Sequence, residues 1–182
     1  MPIYVSMLRG INVGGNKRMK MDLLRSSLEA LGLSQVKTYI QSGNVVFKAA
    51  KRTPVALSSK IEQAILRDFG FPVSVISRTV DEIENTIANN PFVNHPGIDS
   101  AKLHVAFLSE FPEPAGLKKL ADLTKAPDQS RCVGNAVYLY LPNGVSKSSL
   151  WKTPLDRVLS VVTTTRNWKT VNNLHQMCKD CQ

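Results

Sequence analysis

Val36-Lys37-Thr38-Tyr39-Ile40-Gln41-Ser42-Gly43-Asn44-Val45-Val46-Phe47 reads as two short strands around a turn. Residues 36–40 alternate as a half-buried strand does, Ser42-Gly43-Asn44 supplies turn chemistry, and Val45-Val46-Phe47 returns as the partner. Working outward, each side of this hairpin carries a helical pattern. On the N-terminal side Met21, Leu24, Leu28 and Leu31 recur at helical spacing, and Gly32 is a natural residue to end them. On the C-terminal side Pro54 can open a helix in which Leu57, Ile61, Ile65 and Phe69 form one stripe, closed by Gly70. Beyond the helices lie two further apolar runs, Ile3 to Leu8 and Pro72 to Ser77. The order is βαββαβ, the ferredoxin-like pattern.

The pattern then restarts. Thr79 to Asn89 predicts a short helix capped by Thr79, and Asn94-His95-Pro96-Gly97 is a linker candidate. Lys102 to Ser109 predicts a strand and Pro114 to Leu123 a helix. Arg131 to Val133 and Val137 to Leu141 predict a hairpin around Gly134-Asn135. A helix around Ser149 to Leu159 and a Thr-rich strand from Val161 to Thr165 complete a second, looser set. A terminal helix from about Asn167 carries Trp168, Val171, Leu174 and Cys178 on one side. The expected fold is α+β: two ferredoxin-like halves with antiparallel sheets and an additional C-terminal helix. Residues 1–78 form the first half, 79–101 a linker with a short helix, and 102–182 the second half with the terminal helix.

A chain of 182 residues, 43% hydrophobic and 20% charged, can bury a substantial core, which argues against large-scale disorder. The net charge is +9, and it is unevenly spread. Arg9, Lys17, Arg18 and Lys20 precede the first acid, Asp22, whereas Lys102 is the one base among the acids from Asp81 to Glu113. Bases lead again from Ser146 to Thr170. Such a surface suits nucleic acid, phosphorylated ligands or acidic partners, and it also serves solubility. Three cysteines are a poor disulfide framework, and no apolar run approaches the length of a membrane span. The chain is expected to be soluble and cytoplasmic, with no membrane partner.

Arg9-Gly10-Ile11-Asn12-Val13-Gly14-Gly15-Asn16-Lys17-Arg18 fills the loop between the first strand and the first helix. Glycine-rich loops that lead into helices expose backbone N–H groups and attract anions. In the βαββαβ order the first and second strands run parallel, so this loop lies at the same end as the Gln41–Asn44 tip. The candidate ligand-binding residues are therefore Arg9, Asn12, Gly14, Gly15, Asn16 and Lys17, with Gln41, Ser42 and Asn44. The competing reading is that the glycines and asparagines simply make the turns. Gly15-Asn16-Lys17-Arg18 lacks the ending of a phosphate-binding P-loop, and glycines at 10, 14 and 15 do not fit the dinucleotide fingerprint.

Three segments carry a family resemblance. Leu8 to Gly15, Thr38 to Phe47, and Thr165-Arg166-Asn167-Trp168-Lys169-Thr170-Val171 resemble the DUF1697 proteins, over nearly the whole chain. The resemblance implies a two-part α+β structure with ferredoxin-like halves, and it leaves the activity open because the function of that family is unknown. Lys169 departs from the pattern, which is expected to hold Asn in many members. In the third segment Thr164 or Thr165 is expected to cap the terminal helix, with Arg166 and Lys169 in its first turn. Cations there oppose the helix dipole, and a bound anion would relieve that conflict. Arg166 and Asn167 join the candidates on that ground, against the plainer reading of a surface turn anchored by Trp168.

No catalytic constellation stands out. His95, His104 and His175 are scattered, and Cys178 and Cys181 make a single CxxC too few for zinc without further ligands. No metal and no cofactor is expected. Tyr4 and Phe47 fall on the strands that carry base-stacking aromatics in RNA-binding RRM domains, but Asn44 to Lys48 lacks the basic-Gly-aromatic pattern of those domains. Two functions from different classes survive. One is a binding module for an anionic or phosphate-bearing partner, nucleic acid included, through Arg9, Lys17, Arg18 and Arg166. The other is an enzyme or sensor for a small phosphorylated or carboxylate metabolite in the pocket of Arg9, Gln41 and Asn44. The missing nucleophile–base pair tips the balance toward binding, with a protein-interaction scaffold as the plainest third reading.

Overall fold

Alternation of apolar residues at strand period and at helical period, in the order just read, gives two four-stranded antiparallel sheets in a computed structural model whose described residues are 1–181. In the first sheet β1 (Ile3–Leu8) lies between β3 (Asn44–Lys48) and β4 (Val75–Thr79), and β2 (Ser34–Tyr39) sits outside β3. Helix α1 (Met21–Ala30) joins β1 to β2, and α2 (Pro54–Phe69) joins β3 to β4. This is the ferredoxin-like order β2-β3-β1-β4.

Registry explains the core. Tyr4 faces Phe47 and Leu8 faces Val75, so Tyr4, Leu8, Val45, Phe47 and Val75 share the face that meets the helices. Leu24 and Leu28 of α1 and Leu57, Ile61 and Ile65 of α2 complete that cluster. Burying each such side chain stabilises by about 1.5–3 kcal/mol. The Tyr4 and Phe47 rings stack on one another at 6.1 Å, and the Tyr4 hydroxyl donates to the Arg52 carbonyl at 2.9 Å. They are core residues beneath helices, not a platform for bases. The opposite face is also closed: Val5, Met7, Val46 and Ile76 are all buried.

Helix ends follow their chemistry. Thr53 caps α2 by accepting from Ala56 N–H, Pro54 opens it, and Gly70 in the left-handed conformation ends it. Helix α3 (Val80–Ala88) begins with a reciprocal box: Thr79 Oγ1 accepts from Glu82 N–H and Glu82 Oε2 accepts from Thr79 N–H.

The second set repeats the first. Strand β5 (Leu103–Leu108) lies between β7 (Ala136–Tyr140) and β8 (Thr163–Asn167), with β6 (Gln129–Val133) outside β7. Helix α4 (Pro114–Leu123) takes the place of α1. The expected single helix from Ser149 to Leu159 is instead two short ones, α5 (Ser149–Lys152) and α6 (Leu155–Leu159). Pro154 forces the break, because it lacks an N–H and pushes Thr153 into extended backbone. The last strand also starts two residues later than expected and runs to Asn167, where α7 (Trp168–Lys179) follows directly.

The described chain divides into two compact units. One comprises Met1–Glu84 with the chain from Asn173, and the other Asn85–Asn172. The end of α7 belongs with the first sheet, where the Asn173 amide donates to the Tyr39 hydroxyl at 2.6 Å. No helix of the described residues is long and apolar enough to cross a membrane.

Candidate functional site

Three loops of the first unit meet where β1 ends. Leu8 N–H donates to the Gly43 carbonyl at 2.7 Å, and Arg9 N–H donates to the Ser74 carbonyl at 2.9 Å. The loop after β1, the β2–β3 tip and the α2–β4 loop are thereby stitched together. Gly43 permits the approach. A Cβ there would fall 2.6 Å from Leu8 Cβ and 2.9 Å from Ile11 Cδ1, at a φ of +76° that side chains rarely adopt.

The glycine-rich loop is a miniature hairpin. Asn12 N–H donates to the Lys17 carbonyl and Asn16 N–H to the Val13 carbonyl, with Gly14 and Gly15 at the two central positions. Their φ values of +59° and +78° are those of the tight turn that favours glycine at both places. Asn12 locks this hairpin to its neighbours. Its side-chain NH2 donates to the carbonyls of Met19 (2.9 Å) and Gln41 (2.8 Å), and its Oδ1 accepts from Met19 N–H at 2.8 Å.

Several other candidates are likewise engaged within the protein. The Lys17 ammonium donates to the Pro72 carbonyl at 2.6 Å and lines a separate groove that also contains Glu62. Asn44 is fully buried, and its amide donates to the Tyr39 carbonyl and the Ser42 hydroxyl, which fixes the hairpin tip. Arg9 is half-buried beside its bond to Ser74, and Asn16 lies exposed at the turn.

A cleft of about 560 Å³ opens beside the miniature hairpin. Asn12, Gly15 and Gln41 line it together with Arg18, Met19 and Lys20. Leu23 from the first turn of α1 and Phe69 from the end of α2 supply apolar wall. Arg18 folds back over the turn, its Nη2 about 3.9 Å from where a Gly15 side chain would begin. Neither Arg18 nor Lys20 makes a side-chain ion pair or hydrogen bond among the described residues, and both are exposed. The Gln41 amide is exposed and equally unengaged. Phe69 is half-buried, backed by Phe71 at a centroid distance of 6.2 Å.

Sequence does not single out Lys20, Leu23 or Phe69 as ligand groups, although a signal for Phe69 is present. Helix α2 returns the chain to the end of the sheet where β1 finishes, so its last residue had to lie near this loop.

Arg166 and Asn167 lie in the second unit. The expected cap is corrected: Arg166 is a strand residue, and Asn167 caps α7 by accepting from Thr170 N–H at 2.8 Å. A threonine two or three residues earlier is still in the β8 ladder and cannot reach the first turn. Arg166 is buried, and its Nη1 donates to Thr164 Oγ1 and to the Thr165 carbonyl, both at 2.9 Å. Burial pushes its pKa down to about 10, which leaves it charged at neutral pH.

Other titratable groups serve packing. His104 sits edge-on to Trp151 at 5.2 Å, and burial lowers its pKa. Cys178 and Cys181 are buried free thiols, with Cys178 pushed up to about 12, chiefly by burial. Among the described residues no three His, Cys, Asp or Glu side chains cluster as metal ligands would.

The profile of a family described as protein of unknown function (DUF1697) matches residues 1–138. A conserved bacterial protein, SP0830 from Streptococcus pneumoniae, has a similar structure with a TM-score of 0.74 at 24% identity, over 97% of this chain and 98% of that one. At that identity the likeness is one of fold. No curated protein matches the chain.

Proposed function

The chain belongs to the DUF1697 family, and we propose that it is a binding module for an anionic, phosphate-bearing ligand held at the three-loop end of its first unit. The observation that carries this reading is the pair Arg18 and Lys20, which share one cleft with no carboxylate among the described residues that line it. Two unneutralised cations on a constrained loop favour an anion between them.

A comparison within the molecule supports the loop's having a role beyond closure. In the second unit Leu108 N–H donates to the Asn135 carbonyl and Ser109 N–H to the Val162 carbonyl, matching the bonds of Leu8 and Arg9. There the chain crosses from strand to helix over residues 109–113, with Glu110 and Glu113, whereas the first unit uses residues 9–20. The same scaffold closes in less than half the length, and the longer version carries the cations. Binding is favoured over catalysis because, among the described residues, the lining has no carboxylate, imidazole, thiol or hydroxyl to act as a base beside the Lys20 amine. Three free thiols fit a reducing, cytoplasmic setting.

Thermal shift with pyrophosphate tests the reading. A ligand at a hundred times its Kd stabilises the folded state by about 2.7 kcal/mol. The wild type is expected to gain melting temperature at low salt and lose that gain as salt rises. Arg18→Ala/Lys20→Ala is expected to show no gain. An unshifted wild type at low salt overturns the assignment.

A further inference from the structure

We infer that the anion held by Arg18 and Lys20 is the phosphate of a nucleoside phosphate, with its base seated toward Phe69 and Gln41. The inference rests on the anion-binding reading above and goes further, because the cleft offers more than charge. A site for a bare inorganic anion needs donors and cations alone. This one keeps apolar surface open to water beside its cations: Leu23 is 54% exposed, and the half-buried Phe69 ring lines the same space.

Phe69 is well suited to hold a flat ligand. Phe69 packs against the core cluster, and Phe71 lies beside it at an interplanar angle of 48°, so the ring is held before anything binds. A preorganised aromatic loses little side-chain freedom on binding, and base–aromatic stacking contributes without demanding a particular base. Selectivity then falls to a group that both donates and accepts. Gln41 lines the cleft, its exposed side-chain amide has no hydrogen-bond partner among the described residues, and its backbone carbonyl is tied down by Asn12. A free amide can pair with the edge of a base. Cation pair, aromatic wall and free amide correspond to phosphate, base plane and base edge.

Size agrees with one nucleotide. The volume of about 560 Å³ falls within the range of small-molecule sites. A simple amphiphile such as a fatty carboxylate would use the cations and the apolar wall, but it would leave the amide unmatched. The shared chemistry is therefore a nucleoside phosphate, either free or at the end of a single strand.

Calorimetry on the full chain tests this with adenosine monophosphate, uridine monophosphate, ribose 5-phosphate, adenosine, octanoate and a trinucleotide. At least one nucleoside monophosphate is expected to bind roughly tenfold or more tighter than ribose 5-phosphate, which corresponds to about 1.4 kcal/mol, and adenosine to bind weakly. Phe69→Leu should bring the nucleotide down to the ribose 5-phosphate level while ribose 5-phosphate is unchanged. Gln41→Ala, at an exposed position with no side-chain bond to lose among the described residues, should narrow the difference between the two bases. A trinucleotide tighter than both monophosphates assigns the source to a strand, and one no tighter assigns it to the free nucleotide. Equal binding of nucleotide and ribose 5-phosphate overturns the base assignment while leaving the anion reading intact. So does a nucleotide preference that survives both substitutions, or octanoate as the tightest ligand. If no phosphate compound binds, both readings fall together.

Discussion

At the scale of single residues, the two glycines that look alike in sequence do different work. Gly14 and Gly43 both have positive φ, so alanine at either place meets the same kind of backbone strain. They differ in surroundings: nothing lies within 4 Å of a Cβ at Gly14, whereas one at Gly43 would press on Leu8 and Ile11. Gly14→Ala is expected to cost about 1 kcal/mol and Gly43→Ala about 3 kcal/mol or more, since overpacking adds to strain. Urea denaturation of both variants checks this, and equal midpoints would contradict the packing argument. The asparagines carry a related lesson. In sequence Asn12 and Asn44 are ligand candidates because the βαββαβ order brings their two loops to one end of the sheet. The structure satisfies both amides internally, through partners at Met19, Gln41, Tyr39 and Ser42. Sequence cannot tell these uses apart, because the deciding partner of Asn12 is brought near by the sheet and not by the chain. Arg18 shows the converse, a cation conspicuous in sequence whose side chain has no hydrogen-bond or ion-pair partner among the described residues.

At the scale of elements, the two strand-to-helix corners are copies. Val5 pairs with Arg78 and Val105 with Arg166, so the two arginines occupy matching places on β4 and β8. Each is buried, each pKa is lowered by burial, and each donates Nη1 to the carbonyl of the residue before it. The next residue in each case is the helix cap, Thr79 for α3 and Asn167 for α7. Ser77-Arg78-Thr79 and Thr165-Arg166-Asn167 thus share one construction, which the sequence hides because different residue types perform it. The corner predicts a modest, specific cost. Asn167→Ala should lower stability by about 1 kcal/mol, while Asn167→Asp should retain it, because aspartate caps equally well and suits the helix dipole. Equal losses in the two variants, measured by denaturant midpoint, would show that the side chain acts through something other than the cap.

At the scale of the whole molecule, strand and helix order was legible because βαββαβ is written twice in changes of hydrophobic period. What escaped was set by single residues against the period, as at Pro154, or by contacts distant in sequence, as where the end of α7 joins the first sheet. Both units also hold a buried weak acid that the fold keeps neutral. Burial, then Cys181 and Glu84, raises Cys178 from 9.0 to about 12, and burial, then Cys132, raises Tyr138 from 10.0 to about 12. The Tyr138 hydroxyl donates to the Thr86 carbonyl at 2.7 Å, a bond that needs its proton. The sign follows from proton counts. Below the unfolded pKa values both states hold these protons, and the stabilisation is fully present. As pH rises past about 9 the unfolded chain releases the Cys178 proton while the folded chain keeps it, so stability falls until the folded pKa near 12 is passed. Each such proton changes stability by about 1.4 kcal/mol per pH unit within its window. Between pH 9.5 and 10.5 the wild type should therefore lose more denaturant resistance than Cys178→Ala, by about 1 kcal/mol. Parallel pH dependences in the two proteins would mean that the Cys178 thiol ionises as freely in the folded chain as in the unfolded one.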